Sequence, residues 1–572
     1  MNLISDPWIL VRTQEGIELE VSMLEFFSNC HTYSEMAGES AQQDIAVFRF
    51  LQAVSTTLIE RFTSDGKQKL LPKNIDDILE RWQDYWEKGQ YPREAVETYL
   101  EQFRDSFWMD SPEGQRRFMQ TPAAKKGTSY GAAKLIGTIS ESSNKFRLFQ
   151  SRMGESKNEV DMASAARWLL YLNGFDDTSS KKSKEYRANV PKEEQKSVGA
   201  GWLGKIGLVY PLGENLFESL MLNSVLLKDG DKPWSDVNHP YYEEEKPDVT
   251  ERREVPVPEN LAAILTLPSR RIWLDINDRH KVQGFSLIGG DFFSKENAFS
   301  EQNTLWSNAD KSKKKMDRFI PKRHNAQRQI WRDFQILTDN QKKSGSHLPG
   351  VVAWIALLDR EEIIPNDYPI RFITPAVIYG DKDFMVDDLS TQSLTVRANV
   401  LGEHGEQARE LATEQIEKIE RLSFAAGLFM KNITLASGGG SVQAEKARRT
   451  AEDSINTAVN LPYLDWLATL DPEEDLEKKG LEWEQEVRRI ANKFVRESSK
   501  YYLPVGFIGR KQEVEEKKGK RKQEKEFHVS IPEAENLFWY TVAKLYPKPG
   551  DEHSENNNSL CGKRKSDAGK EE

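Results

Sequence analysis

Beyond Val396 the sequence becomes regularly helical, and this limits the fold more than any other feature of the chain. Ala408, Leu411, Ala412, Ile416 and Ile419 recur at helical spacing within 399–431, with Glu, Gln and Lys between them. That pattern marks a helix with one apolar face. Gly438-Gly439-Gly440 interrupts it. A second helix is expected over 441–470, stopped by Pro472, and a third over about 479–500. A fourth, over 532–546, opens at Pro532 and carries Leu537, Phe538, Trp539 and Val542. Four helices joined by turns and one charged loop, 510–525, read as a helix bundle.

From Met1 to residue 395 the pattern is irregular. Strand-like pieces such as "EGIELEVSML" and "PIRFITPAVIYG" alternate with helical stretches at 41–62 and 74–87. Loops rich in Gly, Pro, Ser and Lys are long, notably 173–215 and 280–327, and loops of such length inside a compact domain usually carry function or lack order. The fold class is therefore α+β. A mixed α/β N-terminal domain with long loops is expected over 1–395, a four-helix bundle over 396–546 and a disordered polar tail over 547–572. A chain of 572 residues suits two or three domains.

Several classes of function are disfavoured. The longest apolar run, "VVAWIALL" at 351–358, is far shorter than a membrane span. The opening "MNLISDPWIL" lacks the basic start of a signal peptide. Cys30 and Cys561 are the only cysteines, so neither a disulfide framework nor a cysteine zinc site is expected, and a cytoplasmic location follows. None of the eight histidines has a second histidine three or four residues away, and no nucleophile motif is present. Acid pairs such as Asp176-Asp177 and Asp387-Asp388 are expected by chance among 91 acidic residues. The sequence reads as a non-enzyme without metal or cofactor. One rival is a stand-alone metal-dependent nucleic-acid enzyme built from scattered carboxylates.

A second rival comes from "SVGAGWLGK" at 197–205, which matches G-x-G-x-x-G and would make the chain a nucleotide-binding regulator. A dinucleotide fingerprint needs a buried strand before it and a helix opening at its third glycine. Upstream lies the polar "KKSKEYRANVPKEEQKSV", and downstream Gly207, Pro211 and Gly213 break any helix. Two readings remain: a glycine-rich connector, or a clamp whose missing side chains let the backbone press on a grooved ligand. Trp202 and Lys205 suit nucleic acid, as an aromatic and a cation. The net charge of −11 argues against a general nucleic-acid coat. Its distribution is uneven, however. Residues 311–332 hold nine Lys or Arg against Asp317 alone, with Phe319 and Trp331 interleaved, and 181–205 add seven more basic residues. The stretch 510–525 is basic but mixed with Glu. Such runs are usually solvated faces; two of them in one acidic chain favour a local phosphate-binding track.

Several stretches, taken in order, resemble one family. "MNLISDPWILV" is similar to its opening, "RRFMQTP" at 116–122 to its Phe-Met-Gln-Thr segment, and "SSNKFRLFQ" at 142–150 to a DNA-contact loop. "LFESLMLNSV" follows the glycine loop as it does there, and a terminal bundle closes the chain. The family is the large, CasA-type subunit of the type I-E CRISPR surveillance complex, Cascade.

The resemblance implies a subunit that sits at the 5′ end of a CRISPR guide RNA among the other Cascade subunits. It would inspect double-stranded target DNA for the protospacer-adjacent motif, promote strand opening and help recruit the helicase-nuclease effector. Guide pairing would read the sequence, and the protein only the motif. By position, Gly199, Ala200, Gly201, Trp202 and Lys205 would form the motif loop at the narrow minor groove. Lys295 is similar to a lysine reaching that groove, and Asn144, Lys145 and Phe146 to a loop touching the motif and the guide end. The family's strand-separating wedge is an amide-bearing hairpin tip; here that place reads Tyr379-Gly380-Asp381-Lys382-Asp383, with Gly380 expected to supply the turn's freedom. Lys313, Lys314, Lys315, Lys322 and Arg323 would follow the DNA backbone. Some relatives carry a four-cysteine zinc cluster, which this chain cannot form.

Overall fold

A computed structural model of the chain describes residues 1–547 apart from 112–115, 142–151, 179–198, 245–253, 256–257, 259, 294–299, 309–318, 339–346 and 519–520. The calls on Asn144, Lys145, Phe146, Lys295, Lys313, Lys314 and Lys315 lie outside the described residues, as does the tail from 548 on. The structure divides into two compact units, Met1–Glu406 and Gln407–Glu572. The stretch from 396, assigned above to the bundle, starts in the first unit. Val396 belongs to the strand Val386–Arg397, and a short helix, Ala398–Leu401, follows. Gly402 breaks the pattern there, packed so closely that a Cβ would stand 1.9 Å from an Asp359 oxygen.

The first unit is built around the helix Ala41–Arg61, which is buried from Ile45 to Ile59. A helix covered on all sides must pair its polar groups inside the protein. Gln42 donates to the carbonyls of Ala376 (3.1 Å) and Ser390 (2.8 Å) on the long hairpin. Arg49 forms a two-pronged pair with Glu301 at 2.6 and 3.1 Å and donates to Tyr210 and the Ile264 carbonyl. Burial works against its charge, yet Glu301 and Tyr210 hold its pKa above the ordinary arginine value. Gln52 donates to the Asn223 carbonyl at 2.6 Å. Polar residues on one helix thus fix three distant segments.

The unit holds three three-stranded antiparallel sheets, the last of which packs on this helix. Ile9–Thr13 lies between Glu18–Val21 and Tyr33–Met36; Val282–Gly289 between Thr128–Gly131 and Arg270–Ile276; Pro369–Tyr379 between Tyr210–Leu212 and Val386–Arg397. Two of the stretches that carried the family resemblance, the opening and 116–122, are rivets of this scaffold. The Asn2 amide caps the first turn, accepting from Ile4 N at 3.1 Å and donating to the Arg104 carbonyl at 3.1 Å. The Trp8 indole donates to the Leu3 carbonyl at 2.9 Å. Gln120 bridges the Met109 carbonyl and the Leu274 N–H.

The second unit contains four long helices, Glu406–Ala436, Ser441–Ala468, Leu476–Ser498 and Ile531–Leu545. Their core includes Ile419, Phe429, Tyr463, Val487 and Phe538, with Trp466 stacked on Trp483 at 5.5 Å. The charged stretch 510–525 is no loop. It forms an antiparallel hairpin, Arg510–Lys518 with Arg521–Val529, registered from Arg510 opposite Val529 to Lys518 opposite Arg521. Backbone pairing organises it, which an apolar/polar pattern cannot reveal. Among the described residues no helix is long and apolar enough to cross a membrane.

Asp44, in the first turn of the central helix, has its carboxyl pushed up to about 7 by burial, opposed by the Gly38 N–H it accepts at 2.8 Å and reinforced by Glu35. A carboxyl whose folded pKa is raised contributes stability at low pH that is lost as pH rises toward that value. Asp44→Asn keeps the oxygen facing Gly38 and removes the titration. In calorimetric melts from pH 4.5 to 7.5, the variant should gain steadily on the wild type as pH rises; a constant offset would contradict the assignment.

Candidate nucleic-acid interface

The hairpin Pro369–Tyr379/Val386–Arg397 carries the tip expected from the sequence. The turn is closed by Gly380 N to the Met385 carbonyl and Asp383 N to the Gly380 carbonyl, both 3.0 Å. Gly380 does not supply the turn's freedom, because its φ is −68°. The left-handed residues are Lys382 (φ 55°) and Asp383 (φ 59°). Non-glycine residues there cost roughly 1–3 kcal/mol each and persist where surroundings hold them. Thr178 supplies part of that hold: its N–H donates to the Asp383 carbonyl and its hydroxyl to the Lys382 carbonyl, both 2.9 Å. Arg323 supplies the rest, with two parallel bonds of 2.9 Å to the two Asp383 carboxylate oxygens. Tyr379, at the base of the tip, donates to the Phe175 carbonyl at 2.7 Å and lies 5.5 Å from the Arg323 guanidinium, and burial pushes its phenol well above the ordinary value.

The glycine loop packs into this same place. Gly201 donates to the Asp176 carbonyl at 2.8 Å, and a Cβ on it would stand 2.2 Å from the Gly174 carbonyl oxygen. A Cβ on Gly204 would stand 2.1 Å from the Tyr379 hydroxyl. These two glycines let the chain approach itself. Only a three-residue turn, Leu203–Lys205, follows, so no helix opens at Gly204. Ala200 is buried. The reading of Trp202 as a residue suited to nucleic acid is corrected: its indole is buried, donates to Glu301 at 2.9 Å and meets Phe293 edge-on at 5.0 Å. Gly199 (φ 73°) and Lys205 lie at the rim, where a Cβ on Gly199 would stand 3.3 Å from Lys205 Cε.

Arg270 joins the pieces. It is buried and bonds the Asp176 carboxylate at 2.5 Å and the carbonyls of Ser269 (2.9 Å) and Gly199 (2.7 Å). It therefore fixes both ends of the segment between Asp176 and Gly199. Beside it, buried Asp177 pairs with Lys134 at 2.5 Å, and Lys134 also donates to Ser140 at 3.1 Å. Sequence reasoning missed Arg270, Lys134, Thr178 and the role of Asp176-Asp177. The usable signal was an acid pair placed directly after the apolar stretch Met162–Phe175, rather than in a solvated loop.

Three described cations of the basic run are already paired with the chain's own carboxylates. Lys322 meets Asp333 at 3.0 Å, Arg328 meets Asp333 at 3.3 Å and Arg323 meets Asp383. Four charged segments lie outside the described residues. Segment 142–151 follows Ser140 and Glu141; 179–198 runs from Thr178 to Gly199; 294–299 from Phe293 to Ser300; 309–318 between the paired strands Trp306–Asn308 and Phe319–Pro321. In sequence they carry two, six, one and five Lys or Arg, against six acids in all, in a chain of net charge −11. In sequence the chain's positive charge gathers in segments whose described neighbours include Thr178, Gly199 and Phe319, and cationic segments of this kind can follow a phosphate backbone.

A sequence profile described as CRISPR-associated protein Cse1 matches residues 2–494. A curated protein, "CRISPR-associated protein CasA/Cse1" of Thermus thermophilus, is 28% identical over 224 residues, so the match spans about two fifths of either chain. The crystal structure of Thermobifida fusca Cse1 is similar with a TM-score of 0.77 and 23% identity, covering 96% of this chain and 98% of that one. A chain of a structure titled CRISPR RNA-guided surveillance complex gives a TM-score of 0.64 at 15% identity, with 96% and 99% covered.

If Gly201 serves internal packing, Gly201→Ala should lower the stability of the first unfolding transition in urea by about 1–3 kcal/mol, the scale of overpacking. Lys205→Ala should leave that transition within about 0.5 kcal/mol. Equal stability of Gly201→Ala and wild type would return the loop to the clamp reading.

Proposed function

Because the chain belongs to the CRISPR-associated Cse1 family, we propose that it is the large, non-catalytic subunit of an RNA-guided DNA surveillance complex of the Cascade kind. It recognises the protospacer-adjacent motif in duplex DNA, promotes strand opening beside it and helps recruit the helicase-nuclease. Its partners are the other Cascade subunits, the 5′ end of the CRISPR guide RNA and the target duplex. The observation that carries this reading is the braced hairpin tip, held by Thr178, which leads in sequence into the basic segment 179–198, and by Arg323, which follows the basic segment 309–318. Base pairing with the guide supplies sequence choice, so the protein needs only to hold phosphates, read a short motif and pry at one step.

In this reading the positions divide into two groups. Gly201, Ala200 and Trp202 build the support, through the Gly174 contact and the Glu301 bond. Gly199 and Lys205 at the rim, with Lys295, Asn144, Lys145 and Phe146, meet the motif and the guide end. Lys313, Lys314, Lys315, Lys322 and Arg323 follow the backbone, as point charges and one planar fork. The tip, Gly380, Asp381, Lys382 and Asp383, meets the first base step to open. Separating a step costs a few kcal/mol, so the tip needs an anchor in the fold, and the Thr178 bonds supply it. The close approach of Gly204 to Tyr379 leaves the nucleotide-regulator reading without its helix.

The direct test is reconstitution of the guide-RNA complex with and without this chain. Fluorescence of 2-aminopurine beside the motif should report opening only when the chain is present, and only on targets bearing a particular flanking motif. The chain alone, with Mg²⁺ or Mn²⁺, should leave DNA uncut. Opening without the chain, or cleavage by it, would overturn the proposal. Replacing Lys313, Lys314 and Lys315 by Ala should weaken binding to all duplexes alike. It should also lower the slope of log affinity against log salt by about 2.7 at most, roughly 0.9 per phosphate contact. Loss confined to one motif would make this run a base reader.

A further inference from the structure

We propose that Arg323 is a phosphodiester-binding site which the chain fills, when free of DNA, with its own Asp383 carboxylate. The guanidinium forms two parallel 2.9 Å bonds to the two carboxylate oxygens. A backbone phosphate presents the same pair of anionic oxygens to the same planar fork. The pair is not sealed in the core: the Arg323 and Asp383 side chains are 39% and 31% exposed. An incoming phosphate can therefore reach the guanidinium, whereas it cannot reach the buried pairs Arg270–Asp176 and Arg49–Glu301 in the same unit.

The place of this pair in the fold gives the exchange a consequence. Arg323 follows the basic segment 309–318 and Lys322, which is occupied by Asp333. Asp383 belongs to the hairpin tip and sits, with Lys382, in the left-handed region. Two adjacent residues held there against their preference relax when a restraint is withdrawn. If phosphate takes Arg323, the tip keeps the three Thr178 bonds and the turn's own three backbone bonds but loses its ionic brace. The exposed Phe384, next in the chain and 55% accessible, moves with it. Arrival of a DNA backbone at Arg323 thus frees the element that meets the base step, so the wedge is armed only where a phosphate is already seated. The inference rests on the duplex-binding reading above and adds to it a competition between an internal carboxylate and a DNA phosphate.

The test uses the full chain and a 30-base-pair duplex, followed by fluorescence anisotropy across a salt series. Asp383→Asn removes the competing charge and keeps the shape. It should bind duplex about 3–10-fold more tightly than wild type at low salt. Both proteins release one counterion per phosphate seated, but the wild type regains a paired Asp383 only on release. Its affinity should therefore fall behind most where Coulomb attraction is strongest, and the two curves should converge as salt rises. Arg323→Gln should weaken binding about 3–10-fold, and adding Asp383→Asn to it should change nothing further. Hydrogen exchange at Gly380 and Asp383, whose amides close the turn, should speed up when wild type is saturated with duplex. Inorganic phosphate at millimolar concentration should not reproduce this if the ligand is a DNA phosphodiester; an equal effect would assign the site to free phosphate and overturn the DNA assignment. Wild-type affinity in Asp383→Asn, or an equal gain from Asp383→Asn with and without Arg323, would overturn the competition while leaving duplex binding intact. Absence of duplex binding in wild type, both alone and in the reconstituted complex, would remove both proposals. Melting curves of each variant exclude loss of fold as the cause of any change.

Discussion

The buried pair of Arg270 with Asp176 is the contact on which the candidate interface depends. A buried charge pair is costly to form and costly to break, because either partner left alone is an ion out of water. Here the guanidinium also takes the Gly199 carbonyl, and Lys134 neutralises the neighbouring Asp177. The two acids at the end of the Met162–Phe175 helix thus determine where one basic segment leaves the fold and where it returns. Through Ser140 they also fix the approach to a second segment. The anchors lie inside the protein, and in sequence the cations lie in the segments that leave from them.

The same economy recurs along the central helix. Gln42, Arg49 and Gln52 each bind a segment far away in sequence, so the helix aligns the long hairpin, the Glu301 region and the Asn223 turn together. Glu301 in turn accepts from Trp202. A displacement of the helix would therefore reach the glycine loop and the hairpin by two independent routes. In packed interiors such shifts are transmitted rather than absorbed.

What could be read from the sequence was local. The four long helices follow from apolar spacing, and the hairpin from two strand-like runs around Gly380. What escaped depends on partners remote in the chain. The glycines at 201 and 204 looked like features offered to a ligand, but they are required by Gly174 and Tyr379, which no local pattern points to. Trp202 looked like a stacking surface because aromatic side chains serve both cores and ligands, and only its bond to Glu301 decides. The hairpin at 510–529 has no apolar alternation to betray it. At the tip, the left-handed turn falls on Lys382 and Asp383 although a glycine stands beside them, because external bonds can outweigh intrinsic preference. The motifs that suggested the family, around Asn2, Trp8 and Gln120, proved to be structural bonds; a family can thus be recognised through its scaffold while its contacts vary.

The stapled ends of the Asp176–Gly199 segment carry an evolutionary implication. The fold closes the segment with two bonds, from Gly201 to Asp176 and from Arg270 to Gly199, and uses Asp177 and Thr178 at its start. Loop-closure entropy grows slowly, by only about 0.6 kcal/mol for each doubling of length. Such a segment can lengthen, shorten or change its charge as a cassette, without a matching change in the core. A change there would leave Arg270, Asp176 and the core they join as they are.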